Sequence, residues 1–299
     1  MKKILILISI IIPFASCNIK NNSTNFVSTL DSTLQIKVDS MLQNRLSELD
    51  ATSGQVIVME VQTGEIKASA GTELKPQESG LIRTASLLAA LETKTVQLSD
   101  TVDVGNGTLI IGKDTLLDHN WYRGGYGKIT IQQGFGLSSN IASYKTAKHT
   151  FKDAQAFAKA LAKYGYQVKD TSLVYNPSGY GVFTTPLQNL TFYNAIAQGT
   201  MGDKAAVNDI KRALKYTVTD GLAKPAISDK VKIAGATGTM PLPNGEYAVE
   251  FCGYFPADNP QYSVIVSINK KDKPASGGLM AGTVFKQIAE FLMARNDKK

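Results

Sequence analysis

Residues 247–269 read YAVEFCGYFPADNPQYSVIVSIN and hold two runs typical of β-strands, residues 247–255 and 262–269, on either side of a short polar turn. A third strand-like run precedes them at residues 231–234. Strands joined by short turns pair antiparallel, because a parallel connection needs a long crossover. This end of the chain therefore predicts an antiparallel sheet.

Helical patterns surround these strands. Residues 84–92 (TASLLAALE) are apolar nearly all round, which predicts a buried helix. A hairpin of residues 56–68 turns at Gly64, and a polar break at residues 138–140 divides two helices within 130–151. Further helices are predicted at residues 32–49, 153–164, 185–197, 203–220 and 281–295. The fold class that follows is α+β, an antiparallel sheet flanked by helices with a helical subdomain.

The beginning of the chain has the pattern of a secretory signal. Residues 1–16 carry two lysines, a short apolar run and small residues before Cys17. The segment before Cys17 resembles the lipobox of bacterial lipoproteins, which implies lipidation of that cysteine. We therefore expect a signal peptide at 1–16, a flexible tether at 17–30 and one domain at 31–299, lipid-anchored in the cell envelope and facing the periplasm. A plain cleaved signal is the alternative.

Charge and composition exclude several classes of function. The chain of 299 residues has a net charge of +7, which falls to +5 without Lys2 and Lys3, and its basic residues form no stripe. Nucleic-acid binding is therefore not expected. The two histidines, His119 and His149, are far apart in sequence with no acid cluster beside them, so no metal site is predicted. No phosphate-binding glycine loop occurs, and no cofactor is predicted.

Several short segments then resemble one family in order and spacing. Ser138-Ser139-Asn140 matches a Ser-x-Asn motif, residues 234–240 (AGATGTM) occupy the place of a Lys-Thr-Gly motif, and residues 102–127 resemble the run that precedes Ser-x-Asn. The family is the transpeptidase domain of penicillin-binding proteins, closest to the septal transpeptidases of cell division. The resemblance covers residues 52 to 295 and implies the β-lactamase/transpeptidase fold.

The catalytic positions depart from this family. Its members carry Ser-x-x-Lys at the start of the buried helix, where this chain has Gly80-Leu81-Ile82-Arg83. Glycine offers no nucleophile, and arginine stays protonated and cannot act as a base. The third motif reads Ala236-Thr237-Gly238, so its lysine is missing too. Loss of a nucleophile alone costs a serine hydrolase on the order of 10⁶-fold in turnover. The expectation is a pseudoenzyme.

A binding frame remains in the sequence. Ser138 and Asn140 offer a hydroxyl and an amide, and Thr237-Gly238-Thr239 offer a strand edge with which a peptide could pair. By resemblance, the backbone N–H groups of Gly80 and Thr239 correspond to the oxyanion hole. These residues are either a retained site for peptidoglycan stem peptide or a remnant of the fold. Cell-wall synthesis or division proteins are the other expected partners.

Two further interpretations stay open. An active carboxypeptidase, transpeptidase or β-lactam-binding enzyme would need a displaced nucleophile, Ser79 or Ser138. A purely structural envelope lipoprotein would need neither. The sole tryptophan, Trp121, lies in a glycine-rich loop that is either a carbohydrate-facing surface or a local anchor.

Overall fold

The computed structural model describes residues 30–296. The predicted signal peptide, Cys17 and nearly all of the tether lie outside the described residues. The helices are α1 Ser32–Glu48, α2 Ile82–Glu92, α3 Ile131–Gly136, α4 Asn140–Thr150, α5 Ala154–Ala162, α6 Pro186–Gln198, α7 Lys204–Thr219 and α8 Thr283–Asn296. The strands are β1 Ala51–Glu60, β2 Ile66–Gly71, β3 Gln77–Glu78, β4 Thr101–Gly105, β5 Thr108–Ile111, β6 Asp114–Leu117, β7 Gly127–Thr130, β8 Phe183–Thr184, β9 Ala234–Pro241, β10 Glu246–Phe255 and β11 Tyr262–Lys271.

A five-stranded antiparallel sheet in the order β2-β1-β11-β10-β9 forms the centre. In the registers, Val56 lies opposite Val266 and Phe251 lies opposite Thr237. The first and last parts of the chain therefore meet in the sheet, and the long middle of the chain is an excursion from it. The predicted α+β class with a helical subdomain is confirmed.

The two faces of the sheet bury separate apolar clusters. On one face, Val58, Val264 and Phe285 pack with α1 and α8. On the other face, Ile57 and Ile265 pack with α2, α6 and α7 of the helical subdomain. The alternation of Val56 and Val58 with their neighbours predicts a half-buried strand. Because both faces of the sheet are covered, β1 is instead buried continuously from Gly54 to Met59.

Local signals place most of the helix ends. The side chain of Asp31 accepts a hydrogen bond from the Leu34 N–H at the start of α1, and Thr185 caps α6 with proline in its first turn. Gly199 ends α6 at φ 78°, a conformation that glycine adopts without strain. The predicted helices at 32–49, 185–197 and 203–220 are confirmed within one to two residues at each end.

Two element boundaries differ from the sequence prediction. The strand predicted at residues 231–234 is instead β9 Ala234–Pro241, because pairing with β10 supplies the ladder that its small residues do not favour by themselves. The last helix, predicted from residue 281, begins at Thr283 after a π-helical turn at Gly278–Gly282. Within residues 30–296, no helix is both long and apolar enough to cross a membrane.

Candidate functional site

The start of α2 is the centre of the candidate site. Its residues from Ile82 to Leu91 are all buried, as the apolar pattern had predicted, although the helix begins two residues earlier than expected. Gly80 lies just before the helix and faces β9. Gly80 and Arg83, which the resemblance matches to a nucleophile and a base, both lie at the junction of the sheet and the helical subdomain.

Little space is left at Gly80 for a side chain. A β-carbon built on Gly80 would lie 3.0 Å from the Gly238 Cα, 3.1 Å from the Thr239 backbone nitrogen and 3.2 Å from Arg83 Nη1. Two of these neighbours are backbone atoms of β9, which a rotamer change cannot move. A serine at this position would require the strand or the helix to yield by a few tenths of an ångström.

The Arg83 guanidinium is buried beside Gly80. Nη1 donates to the Gly80 carbonyl oxygen at 3.4 Å, and Nη2 donates to Asn140 Oδ1. Nε is buried without a hydrogen-bond partner among the described residues. Burial lowers the pKa of Arg83, and nearby Tyr180 and Asp118 oppose that shift. The group remains a cation because an arginine does not lose its proton in the working pH range.

Asp118 stabilises the Ser-x-Asn turn by accepting hydrogen bonds from it. Ser139 caps α4 through its hydroxyl, which accepts from the Ala142 N–H at 3.0 Å and donates to Asp118 Oδ2 at 2.7 Å. The other Asp118 oxygen accepts from the Ile141 N–H at 3.1 Å. Asn140 Nδ2 donates to the Leu117 carbonyl at 2.8 Å, which fixes the amide that receives Arg83. The turn is therefore built independently of any bound ligand.

Ser138 is half-buried at φ 52°, a left-handed conformation that is uncommon for serine. No side-chain hydrogen bond of Ser138 to any other described residue is present. Asn140 therefore contacts Arg83 through a hydrogen bond, whereas Ser138 makes no such contact.

Ser79 belongs to a buried polar cluster on the other side of Gly80. Its hydroxyl donates to Glu250 Oε2 at 2.5 Å and accepts from Asn189 Nδ2 at 3.2 Å. Ser267 donates to Glu250 Oε1 at 3.2 Å. Burial raises the pKa of Glu250 to about 7, although the hydrogen bonds from Ser79 and Ser267 lower it. The Ser79 side chain is fully buried and its hydroxyl hydrogen is donated to Glu250, so it is poorly placed to act as a nucleophile.

The strand that carries the third motif is the edge strand β9, as the sequence had indicated. Ala236 is buried opposite Cys252, a free thiol in the core. Thr237 is buried and Thr239 is exposed, with the Thr239 hydroxyl accepting from the Gly277 N–H at 3.0 Å. A β-carbon at Gly277 would meet the Gly238 carbonyl oxygen at 2.4 Å, so this glycine permits the following segment to pack on β9.

The structure therefore brings together Gly80, Arg83, Asn140, Gly238 and Thr239. Sequence reasoning had given no role to Glu250 or Asn189, and it had quoted Asp118 only as part of a matching run. A signal existed for Glu250, which is the one charged residue within the apolar run of β10 after its first position. No comparable signal marked Asn189.

The remaining candidates lie elsewhere. His119 Nε2 and the Tyr126 hydroxyl are 2.9 Å apart, and burial lowers the pKa of His119. His149 is exposed, and Trp121 and Tyr122 are exposed on their loop at 51% and 62%. Across the described part of the chain, no cluster of histidine, cysteine and acidic residues could hold a metal ion.

Comparisons with known proteins agree on the architecture. The model of the penicillin binding protein transpeptidase domain matches residues 54–290. Similar solved structures include a peptidoglycan glycosyltransferase from Burkholderia ambifaria, with 22% identity, a TM-score of 0.78, and 90% of this chain and 97% of that chain covered. The transpeptidase domain of penicillin-binding protein 3 from Burkholderia pseudomallei has 20% identity and a TM-score of 0.79, with 90% of this chain and 96% of that chain covered.

The transpeptidase domain of the FtsI4 D,D-transpeptidase from Legionella pneumophila has 22% identity and a TM-score of 0.69, with 90% of this chain and 98% of that chain covered. No curated protein matches the chain. At these identities the structural likeness concerns the fold, and the side chains at the candidate site must be interpreted for themselves.

Proposed function

Because the chain belongs to the penicillin-binding protein transpeptidase family, we propose that it is a catalytically inactive member that acts in the cell envelope by binding. The ligand is a peptidoglycan stem peptide or a protein of cell-wall synthesis. One observation carries this proposal. The backbone of β9 lies 3.0 to 3.1 Å from the β-carbon position of Gly80, which is tighter than an ordinary contact, and the Arg83 cation lies beside Gly80, where the resemblance would put a lysine.

Three arguments from chemistry support inactivity. The acylating serine is absent at Gly80, and Arg83 cannot accept a proton. Ala236 carries no cation at the third motif. The nearest hydroxyl in sequence, that of Ser79, donates to Glu250 and is fully buried. An attack from Ser79 would need both this hydrogen bond and the packing around it to break.

The first test is the intact mass of the purified full-length chain in detergent after incubation with an excess of penicillin. We expect no adduct, and we expect none for Gly80→Ser either, because its β-carbon contacts β9 and Arg83 cannot activate it. A catalytically active penicillin-binding protein serves as the positive control. A mass increase equal to one drug molecule that disappears in Ser79→Ala or Ser138→Ala would contradict the proposal.

The second test concerns what the edge of β9 binds. Thr239→Trp places a bulky group on the exposed face of β9, and Ser69→Trp is the matched control on β2, the opposite edge strand of the same sheet. Gly238→Trp is unsuitable because its β-carbon would lie 2.9 Å from Glu250 Oε2. We expect Thr239→Trp alone to lose binding of D-Ala-D-Ala peptides or crosslinking to envelope proteins.

If both variants keep all binding, the β9 edge is not the binding surface and the purely structural role is favoured. Lipid attachment at Cys17 and a periplasmic location are further parts of the proposal. Cys17→Ala is expected to release the chain from membranes into the soluble fraction of cells. Retention of this variant in the membrane fraction would remove the lipid anchor from the proposal.

A further inference from the structure

A small cavity lies behind the candidate site, between α2, α3 and α4. Its volume is about 20 Å³, which corresponds to one water-sized occupant. Arg83 forms part of its wall together with the hydroxyl residues Ser86, Ser143 and Thr146, and apolar side chains such as Phe135 complete it. Arg83 is the one ionisable residue in this lining, so the cavity has a positive wall. The Ser86 and Ser143 hydroxyls donate to the Ile82 and Ser139 carbonyls, which leaves Thr146 as the hydroxyl donor for an occupant.

The charge of Arg83 is not compensated by its hydrogen-bond partners. The Gly80 carbonyl and the Asn140 amide are both neutral acceptors. Among residues 30–296, no carboxylate oxygen comes within 4.0 Å of the guanidinium, since Arg83 takes part in none of the ion pairs. Asp118 favours the positive charge of Arg83 from a greater distance, but its two oxygens accept hydrogen bonds from the Ser139 hydroxyl and the Ile141 N–H. A buried cation without an ionic partner is costly.

An unpartnered donor belongs to the same group. Arg83 is 91% buried, and its Nε lacks an acceptor among the described residues. Buried N–H groups of charged side chains nearly always have a partner, and a missing one points to a water or an ion. The cavity that Arg83 lines is the available space for that partner.

We propose that this cavity binds a single chloride ion, held by the Arg83 guanidinium and the Thr146 hydroxyl. The ion supplies both an acceptor for Nε and the negative charge that the neighbours of Arg83 lack. A water molecule would supply the acceptor but not the charge. The volume of about 20 Å³ matches a monatomic ion or one water molecule. The ion anchors Arg83 in the position that it holds against Gly80, and this inference stands independently of whether the protein binds peptide.

The first experiment is thermal unfolding of the full chain at constant ionic strength, with chloride exchanged for glutamate. A ligand that binds only the folded state raises Tm with its concentration. We expect a rise of about 3 °C between 1 and 200 mM chloride. Arg83→Met is expected to abolish the rise. Arg45→Met is the matched control, since Arg45 donates to the Leu279 and Met280 carbonyls and its loss leaves the cavity unchanged.

A second variant covers the case in which Arg83→Met does not fold. Thr146→Ile removes one hydroxyl and adds a methylene to the cavity while Arg83 stays in place, and it too should lose the chloride response. Crystals grown in bromide should show an anomalous peak within hydrogen-bond distance of Arg83 Nε. A chloride response of equal size in the wild type and in Thr146→Ile, or a cavity occupied by a peak without anomalous signal, would overturn the proposal in favour of water.

Discussion

Two buried ionisable side chains lie on opposite sides of Gly80, and the protein accommodates them in different ways. Glu250 accepts hydrogen bonds from Ser79 and Ser267, and burial raises its pKa to about 7, so it can become neutral. Arg83 has no such option, because guanidinium keeps its proton and its two hydrogen-bond acceptors, the Gly80 carbonyl and the Asn140 amide, are neutral. The comparison teaches that an acid can adapt to burial by protonation, whereas an arginine must be given a counter-charge.

The largest expected effect is a pH dependence of the unfolding free energy that arises from Glu250. The folded-state pKa of about 7 lies above the ordinary 4.5, so the folded state holds its proton more tightly than the unfolded chain. The stabilisation is complete below pH 4.5 and is lost as the pH rises through 7. Relative to Glu250→Gln, the wild type should lose roughly 3 kcal/mol of unfolding free energy between pH 4.5 and 8.

Denaturant unfolding of both proteins across this pH range measures the difference. Glu60→Gln is the control with the opposite sign, because the hydrogen bond from Thr63 lowers the pKa of Glu60. There the wild type should gain stability relative to the variant as the pH rises through the pKa of the carboxyl. A difference between the wild type and Glu250→Gln that does not vary with pH would mean that Glu250 ionises normally.

A smaller effect is expected for Ser79→Ala. This change removes the 2.5 Å hydrogen bond to Glu250 and leaves an Asn189 N–H without one of its two acceptors. The expected loss is about 2 kcal/mol, within the usual range for a buried group left unsatisfied. Ser86→Ala is the control on the neighbouring helix α2, since its hydroxyl donates only to the Ile82 carbonyl within that helix. Equal destabilisation of the two variants would show that the Ser79 cluster contributes little.

The smallest expected change in stability is for Asn140→Asp, which places an acid next to Arg83. The new ion pair offsets the lost donation to the Leu117 carbonyl, so the net change in unfolding free energy should stay within about 1 kcal/mol. The chloride-dependent rise in Tm should nevertheless disappear, because Arg83 then has its counter-charge. Asn140→Ala, which supplies no charge, should keep the rise. A full chloride response in Asn140→Asp would separate that response from the charge of Arg83.

The elements that sequence predicted well are those with local causes. α1 and α6 begin at capping side chains, and residues 84–92 of α2 are apolar nearly all round, so each could be recognised without its neighbours. The short strands β3 and β8 have two residues each and exist only because Gln77 pairs with Thr184 across the fold. A pairing between residues so distant in the chain leaves no periodic pattern to detect.

The candidate site divides in the same way. The replaced positions Gly80, Arg83 and Ala236 could be found by counting from the buried helix and from the strand runs. The contact of Arg83 with Asn140 and the closeness of Gly80 to β9 could not, because both depend on how the helical subdomain packs against the sheet. Distances of a few tenths of an ångström decide whether a β-carbon fits, and sequence patterns do not carry that precision.

The approach of β9 to Gly80 also has an evolutionary consequence. A change from glycine to serine at this position places a β-carbon 3.0 Å from the Gly238 Cα and 3.1 Å from the Thr239 nitrogen, so we expect that change by itself to lower stability. Under the proposed inactivity, restoring the chemistry would also require Arg83 and Ala236 to change. On this proposal, the tight packing at Gly80 opposes a return to catalysis by a single substitution.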